Sequence, residues 1–383
     1  MNLVIDCFKL VKGAGKSIGI YNLAKSITEH LGQKIADNPN QAKAKEEDSI
    51  IILGNSSNRA EFDVPGVTFV EVKGNPLNKI YCILWELFIV TRYARKYSAD
   101  RILFPRGFRP LRCFAGKNFK DTIIIHDLIP FFYDEHFPGV FNKTENAYIM
   151  NRLKASIKGA DRVITISKCS KDDILKRIPG CGDKITVINN GVNTVTYPVT
   201  NTDSTNEKEK DYIVAMTTTL PHKNAGGILK AYETYYKMAD KPLELAVIGI
   251  ADTSFYAEMD REAAAHVTCY KFFEKFDDVC RKTAGGKAYL FLSFMEGFGF
   301  PPLEAMQMGV PVVCSDRSSL PEVVQDAGIL VDPDDINKVA KALIQITTDE
   351  EKRAELIAKG YENVKRFSWE SRTDLYWKEL FQK

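Results

Sequence analysis

The stretch FMEGFGFPPLEAMQMGVPVVCSDRSSLPEVVQDAGILVDP, residues 294–333, decides the architecture. It follows a short apolar run at 288–292. Glycine, aromatic and proline residues then crowd into a turn, Glu296-Gly297-Phe298-Gly299-Phe300-Pro301-Pro302, ahead of a helical segment that Pro302 opens and Gly309 closes. Glycine permits a tight backbone path and suits a helix stop, and proline suits the first helical position. A strand that runs through such a turn into a helix presents amide N–H groups at the helix start. With a carboxylate beside them, those donors can hold hydroxyls or phosphate, which is what a sugar nucleotide asks for.

The pattern around this stretch repeats on a larger scale. Short apolar runs at 50–53, 101–104, 122–125, 162–166 and 185–188 alternate with longer segments of mixed polarity, and a second series follows at 212–215, 243–248, 288–292, 311–314 and 329–331. This punctuation suits buried parallel strands with crossover helices, so two α/β units are expected. Residues 200–211, TNTDSTNEKEKD, contain no apolar side chain and read as the interdomain linker; residues 37–49 read as a surface loop. The expected division is a first domain over 1–200, a second over 201–365 and a terminal packed helix over 366–383. A length of 383 residues supports two cores, and 45% hydrophobic with 27% charged residues excludes disordered and low-complexity classes.

The net charge of +2 gives no argument for nucleic acid. The first ten residues carry Asp6 and no basic-then-apolar pattern, so a cytoplasmic location is expected. The greasiest stretch, 80–94, contains Glu86 and Arg92 and falls short of a membrane span. Eight cysteines without a Cys-x-x-Cys pair, and five histidines without ligand spacing, read as reduced thiols and no metal site.

Near the amino end, Gly13-Ala14-Gly15-Lys16-Ser17 resembles a phosphate-binding loop, but Leu10 stands where the first glycine belongs. The dinucleotide pattern fails as well, with Ile18 at the third glycine position and Gly19 one residue late. What remains is a glycine cluster before a helical stretch at 21–27, either a phosphate-approaching loop or a plain turn. Glu296 and Glu304 stand eight positions apart, roughly 12 Å along a straight helix. That is wider than the two carboxyl groups of a retaining glycosidase, so they are read as dividing the labour, one for a sugar and one for a ribose.

At this point the chain resembles the retaining glycosyltransferases of family 4, which have the GT-B fold. Glu296, seven residues, then Glu304 carries the resemblance, together with HDLIPFFYDEHFP from His126, RVITISKCSKDDI from Arg162, VINNGVN from Val187, LPHKN from Leu220, DAGILVDP from Asp326, and RFSWESRTDLYWKEL from Arg366, similar to that family's returning helix. The resemblance implies two Rossmann-like domains facing each other across a cleft, the C-terminal helix crossing back to the first. It implies that Glu304 holds ribose hydroxyls, that Glu296 with the amides of Gly297, Phe298 and Gly299 holds the donor hexose, that Lys223 neutralises diphosphate, and that His126 reaches the sugar from the first domain. His222 stands where the family has arginine, and an imidazole is not equivalent to a guanidinium against phosphate. Gly15 and Gly19 fit the family's first-domain loop only in part.

Breaking the anomeric bond to a diphosphate builds positive charge on the sugar and negative charge on the leaving oxygens. Lys223 and amides near Gly15 and Gly19 meet the latter electrostatically. Asp332-Pro333-Asp334 is an ordinary turn rather than a metal-binding pair, so metal-independent transfer is expected, without a cofactor. Read singly, His126 is a strand-end structural histidine, Lys223 a solvated charge, and Phe298 and Phe300 interdomain packing. Residues 92–120 hold nine basic side chains and one acid. With Phe131, Phe132, Tyr133, Phe137 and Phe141 just beyond, they read either as a solvated face with core aromatics or as a surface drawn to an anionic membrane or a lipid-diphosphate acceptor on the membrane's inner face. The expected function is hexose transfer from a nucleotide-diphosphate sugar to a glycan or lipid-linked acceptor in surface polysaccharide synthesis. The competing classes are a sugar phosphorylase or hydrolase on the same scaffold, separable by calorimetry with nucleoside diphosphates, and a non-catalytic nucleotide-binding member.

Overall fold

A computed structural model describes residues 1–12, 18–37, 48–110, 119–193, 212–250, 258–271, 273 and 275–382. The linker read at 200–211, most of the loop read at 37–49, and Gly15 lie outside the described residues. The chain forms two compact units, Met1–Asn190 with Trp369–Lys383, and Gly191–Ser368. These divisions fall at 190 and 368, where the sequence reading placed them at 200 and 365.

The first unit is built on a parallel sheet of β1 (Asn2–Asp6), β2 (Ser49–Gly54), β3 (Val67–Glu71), β4 (Arg101–Phe104), β5 (Lys120–Ile125), β6 (Arg162–Thr165) and β7 (Ile185–Val187). Its order is β3-β2-β1-β4-β5-β6-β7. The second unit has β8 (Tyr212–Met216), β9 (Glu244–Ile248), β10 (Val267–Tyr270), β11 (Ala288–Phe291), β12 (Val312–Ser315) and β13 (Gly328–Val331), in the order β10-β9-β8-β11-β12-β13. Both sheets therefore reverse their direction of growth once, at β1/β4 and at β8/β11. In open parallel sheets such a reversal leaves a crevice beyond the strands' carboxyl ends, and ligands bind there. This is the two-unit α/β architecture expected from the sequence.

The central strands formed because their side chains are apolar on both faces: Ile102, Leu103, Ile123, Ile124, Val163, Ile164, Ile213, Val214 and Leu290 are fully buried. Of the thirteen strands, β1, β3 and β10 lie outside the ten apolar runs read above, and β3 and β10 are sheet edges with half-exposed side chains. Helices cover the sheets. The first, Ile18–Ala36, starts earlier than the expected 21, so Gly19 sits in its first turn, exposed, with open space where a side chain would be. The C-terminal helix Trp369–Phe381 belongs to the first unit, where Trp369 stacks on His30 at 5.0 Å and Glu379 accepts from Arg162 at 3.0 Å.

Part of the basic stretch turns inward. Arg101 and Arg109 are buried, and Arg109 Nε donates to Asp121 at 2.7 Å across the β5 start. Phe131 and Tyr133 are buried as well. Those residues serve the core, which removes them from any surface role.

One packing contact is set by backbone alone. Gly32 in the first helix and Gly66 (φ +77°) before β3 approach so closely that a Cβ on Gly66 would lie 1.9 Å from the Gly32 carbonyl oxygen. Gly66→Ala is expected to lower stability by about 2–4 kcal/mol, read by denaturant unfolding, because neither backbone can yield without moving the helix.

Candidate active site

The carboxyl ends of β8 and β11 lead into two loops that are stitched together. After β8 a tight 3₁₀ turn, Pro221–Lys223, ends at Asn224, whose left-handed backbone (φ 54°, ψ 44°) redirects the chain into helix Ala225–Met238. The Asn224 side chain works in both directions. Its Oδ1 accepts from Gly227 N–H at 3.1 Å and caps the helix, while its Nδ2 donates to the Leu292 carbonyl at 3.1 Å. Phe294 N–H donates to the His222 carbonyl at 2.8 Å. These bonds carry Lys223 to the loop after β11, where its Nζ lies 2.6 Å from Glu296 Oε1. The two side chains are 23% and 12% exposed, so the pair is held in a largely desolvated place yet remains open to a ligand.

A third loop, after β12, braces Glu296. Ser318 Oγ accepts from Glu296 N–H at 3.1 Å and donates to its carbonyl at 2.8 Å; Ser319 Oγ lies 2.5 Å from the Phe298 carbonyl. Both serines sit inside the quoted stretch, yet its reading gave them no role. Their hydroxyl positions depend on β12 lying beside β11, which spacing alone does not reveal. Between them Gly299 adopts φ +128°, and a Cβ there would come within 2.9 Å of Leu320 Cδ2. Phe298 is buried edge-on against Phe300 and Phe367, so its ring packs in the core of the second unit. The helix begins at Phe300, two residues before the expected Pro302, and runs to Gln307. Glu296 therefore lies in the loop before the helix and Glu304 within it, and the straight-helix separation does not apply.

Three groups have displaced acidities. Burial lowers His222 to about 4, with Lys223 adding to the effect. His222 is only 4% exposed. It is neutral at pH 7 and supplies no positive charge in the position of the family's arginine. Glu304 is half-buried, and desolvation raises its carboxyl from 4.5 to about 7. In the first unit, His126 follows β5 with Nε2 2.7 Å from the Pro105 carbonyl oxygen. That oxygen only accepts, so Nε2 carries the proton and Nδ1 keeps its lone pair. Burial lowers His126 to about 4 as well, leaving a neutral imidazole.

The Asp332-Pro333-Asp334 turn is committed to structure: Arg317 donates to Asp332 at 2.7 Å and to Asp334 at 2.6 Å. Among the described residues no group of three or more His, Cys, Asp or Glu side chains is placed to hold a metal ion.

Known proteins resemble this chain in both of its units. Residues 200–363 match the family described as glycosyl transferases group 1, and residues 42–196 match glycosyltransferase family 4. The chain is 29% identical over 72% of its length to O-antigen chain mannosyltransferase B of Escherichia coli, covering 77% of that protein. It is 31% identical over 62% of its length to O-antigen chain mannosyltransferase RfbU of Salmonella typhimurium, covering 65% of that protein. Among solved structures it is similar to sucrose-phosphate synthase of Thermosynechococcus elongatus (TM-score 0.72, 20% identity, 100% of this chain and 99% of that one) and to the lipopolysaccharide glycosyltransferase WaaG (TM-score 0.68, 11% identity, 100% of both chains). With both halves matched in order and the fold shared along its whole length, this chain belongs to glycosyltransferase family 4 and is a GT-B glycosyltransferase.

Proposed function

We propose that the protein transfers a hexose, mannose by analogy with its named relatives, from a nucleotide-diphosphate sugar to a glycan or lipid-diphosphate-linked acceptor during surface polysaccharide synthesis. We assign it a retaining, metal-independent mechanism and a place in the cytoplasm, peripheral to the inner face of the membrane. The observation that carries the reading is the 2.6 Å contact of Lys223 with Glu296 at the β8/β11 reversal, beside the amides of Gly297, Phe298 and Gly299.

In this reading a bound donor exchanges partners with the resting ion pair. Its diphosphate takes the Lys223 ammonium, and Glu296, released, accepts from the hexose hydroxyls. Glu304 accepts from the ribose. Preorganised donors of this kind stabilise charge as it develops, and usually supply the largest share of rate enhancement. As the bond from the anomeric carbon to the diphosphate oxygen breaks, the acceptor oxygen bonds to that carbon on the same face, and its proton passes to the departing phosphate. His126 is assigned to the donor hexose on the grounds of its motif; neutral, it can hydrogen-bond without adding charge. The first unit takes the acceptor side.

The reading is tested by supplying nucleotide-diphosphate sugars, mannose-bearing ones first, and following both thermal stabilisation and nucleotide release. A donor that binds the folded protein at a hundred times its dissociation constant stabilises it by about 2.7 kcal/mol. Glu296→Gln and Lys223→Ala are each expected to reduce turnover at least about a hundredfold while the fold is retained by circular dichroism. Turnover unchanged in both variants rules out this site.

Glu304 adds a pH dependence. Its folded acidity lies above the unfolded value of 4.5, so the protonated form favours folding; the stability it contributes is present below 4.5 and is lost as pH rises through about 7. Ribose binding requires the opposite form, the carboxylate. Nucleoside-diphosphate affinity is therefore expected to rise about tenfold more between pH 6 and pH 8 for the natural protein than for Glu304→Gln. Equal pH profiles in titration calorimetry would remove Glu304 from the ribose.

A further inference from the structure

We propose that the cavity between the carboxyl end of helix Ile129–His136 and the start of helix Lys143–Gly159 is a carbohydrate-binding subsite, one that takes a single sugar unit of a glycan away from the transfer site.

The cavity encloses about 350 Å³ and lies wholly within the first unit. Ligand pockets span roughly 300–1,000 Å³, so this one suits one ring or two rather than a nucleotide or a long peptide. Its walls are aromatic. The rings of Phe137 and Phe141 stand at 74° and 75° to the ring of Tyr133, with centroids 6.0 and 4.8 Å from it. Rings so arranged make a corner, not a parallel slot. Tyr133 is buried and backs the corner from the core side, while Phe137 and Phe141 are half-buried.

A polar group in the wall is left without a partner. Asn146 lines the cavity and is only 5% exposed. Its Nδ2 donates to the Pro130 carbonyl at 3.1 Å. That carbonyl only accepts, which fixes the amide nitrogen on its side and Oδ1 on the other. Oδ1 is buried and has no hydrogen-bond partner among the described residues. Buried polar groups are nearly always paired, so an acceptor left over in a cavity wall calls for a donor from outside the chain. On the solvent side Asp134 and Lys143 are both exposed; one accepts, the other donates, and together they carry no net charge.

These features select the occupant. A hexose ring turns C–H bonds outward on its face, and their slight positive charge suits the negative face of an aromatic ring. Its rim carries hydroxyls that both donate and accept, matching Asn146 Oδ1, Asp134 and Lys143. A hydrocarbon chain would leave Oδ1 unpaired. An ionised phosphate would turn acceptors toward it, and a flat base finds no parallel slot to enter. Helix Ile129–His136 begins just after His126 and ends at the cavity, which sets the two apart by roughly 10 Å along its axis. A subsite there grips a glycan by a unit behind the end being extended. That use rests on the glycan-extending reading above, whereas the sugar class rests on the cavity alone.

The test is saturation-transfer NMR on the full chain with mannotriose, maltotriose and galactotriose, without any sugar nucleotide, so that its outcome is independent of the catalytic reading. At least one trisaccharide should receive saturation, strongest on the ring protons of one unit. Asp134→Ala with Lys143→Ala should weaken its affinity about tenfold, with an unchanged melting temperature because both positions are exposed. Phe141→Ala should weaken it at least about tenfold while the fold is retained by circular dichroism. Absence of saturation in all three trisaccharides, equal affinity in the exposed double variant, or displacement of the trisaccharide by hexanol or adenosine would each overturn the proposal.

Discussion

The second unit's capacity to hold a ligand depends on β8 and β11 being hydrogen-bonded neighbours that point the same way. Tyr289 pairs with Val214 in register, and both strands end at the same level of the sheet. From that level the chain after β8 turns one way and the chain after β11 the other, leaving room between the loops. Lys223 and Glu296, 73 positions apart, meet there at 2.6 Å. Their attraction cannot create this arrangement, because desolvating two charges costs several kcal/mol per ion before any gain. The sheet and the two backbone-linked loops position them, and the pair then settles its residual charge. An arrangement of that kind is preorganised in the useful sense: the scaffold has already met the cost of orienting the ammonium and the carboxylate.

The surroundings sharpen the role of Lys223. Arg317 on the third loop is engaged by two aspartates, and His222 is neutral through burial. Among the described residues of this second-unit cluster, the proposed phosphate partner is therefore Lys223, whose present partner, Glu296, is itself proposed to have a task in the complex. In the proposed exchange of Glu296 for a diphosphate, Lys223 stays paired throughout, and Glu296 is met by hexose hydroxyls in place of the ammonium. The nearby Phe291 ring, 5.9 Å from Nζ, adds an apolar wall with a favourable quadrupole on the same side. Glu304 has the reverse character. Among the described residues no charged partner offsets its desolvation.

These features were unequally visible in the chain. Central strands announce themselves, since a parallel strand buried on both faces must be apolar throughout, as in Ile123-Ile124-Ile125. The edge strands β3 and β10 do not: their side chains are half-exposed or exposed and include Thr68, Glu71 and Thr268. The glycine turn and the two glutamates were legible because backbone demands select residue types locally. The serine braces were not, because a hydroxyl acquires its function only when another strand lies alongside. Nor could sequence decide which way His222 faces. The same local logic misplaced helix starts by two or three residues, at Phe300 and Ile18, where an aromatic or aliphatic residue opens the helix.

The first unit follows the same topological rule with different chemistry. Its sheet reverses at β1/β4, and there too the loops are joined, Arg106 donating to the Lys9 carbonyl at 3.0 Å. Around that junction lie a buried Asp6, raised to about 6 by desolvation and held by Trp85 Nε1 at 3.1 Å, and Glu86, shared between Lys9 and Arg152. Where the second unit presents one ion pair beside backbone amides, the first presents a wider network in which Lys9, Arg106 and Arg152 lie around Asp6 and Glu86. Two sheets built on one plan thus arrive at different electrostatics through the residues placed just after their central strands.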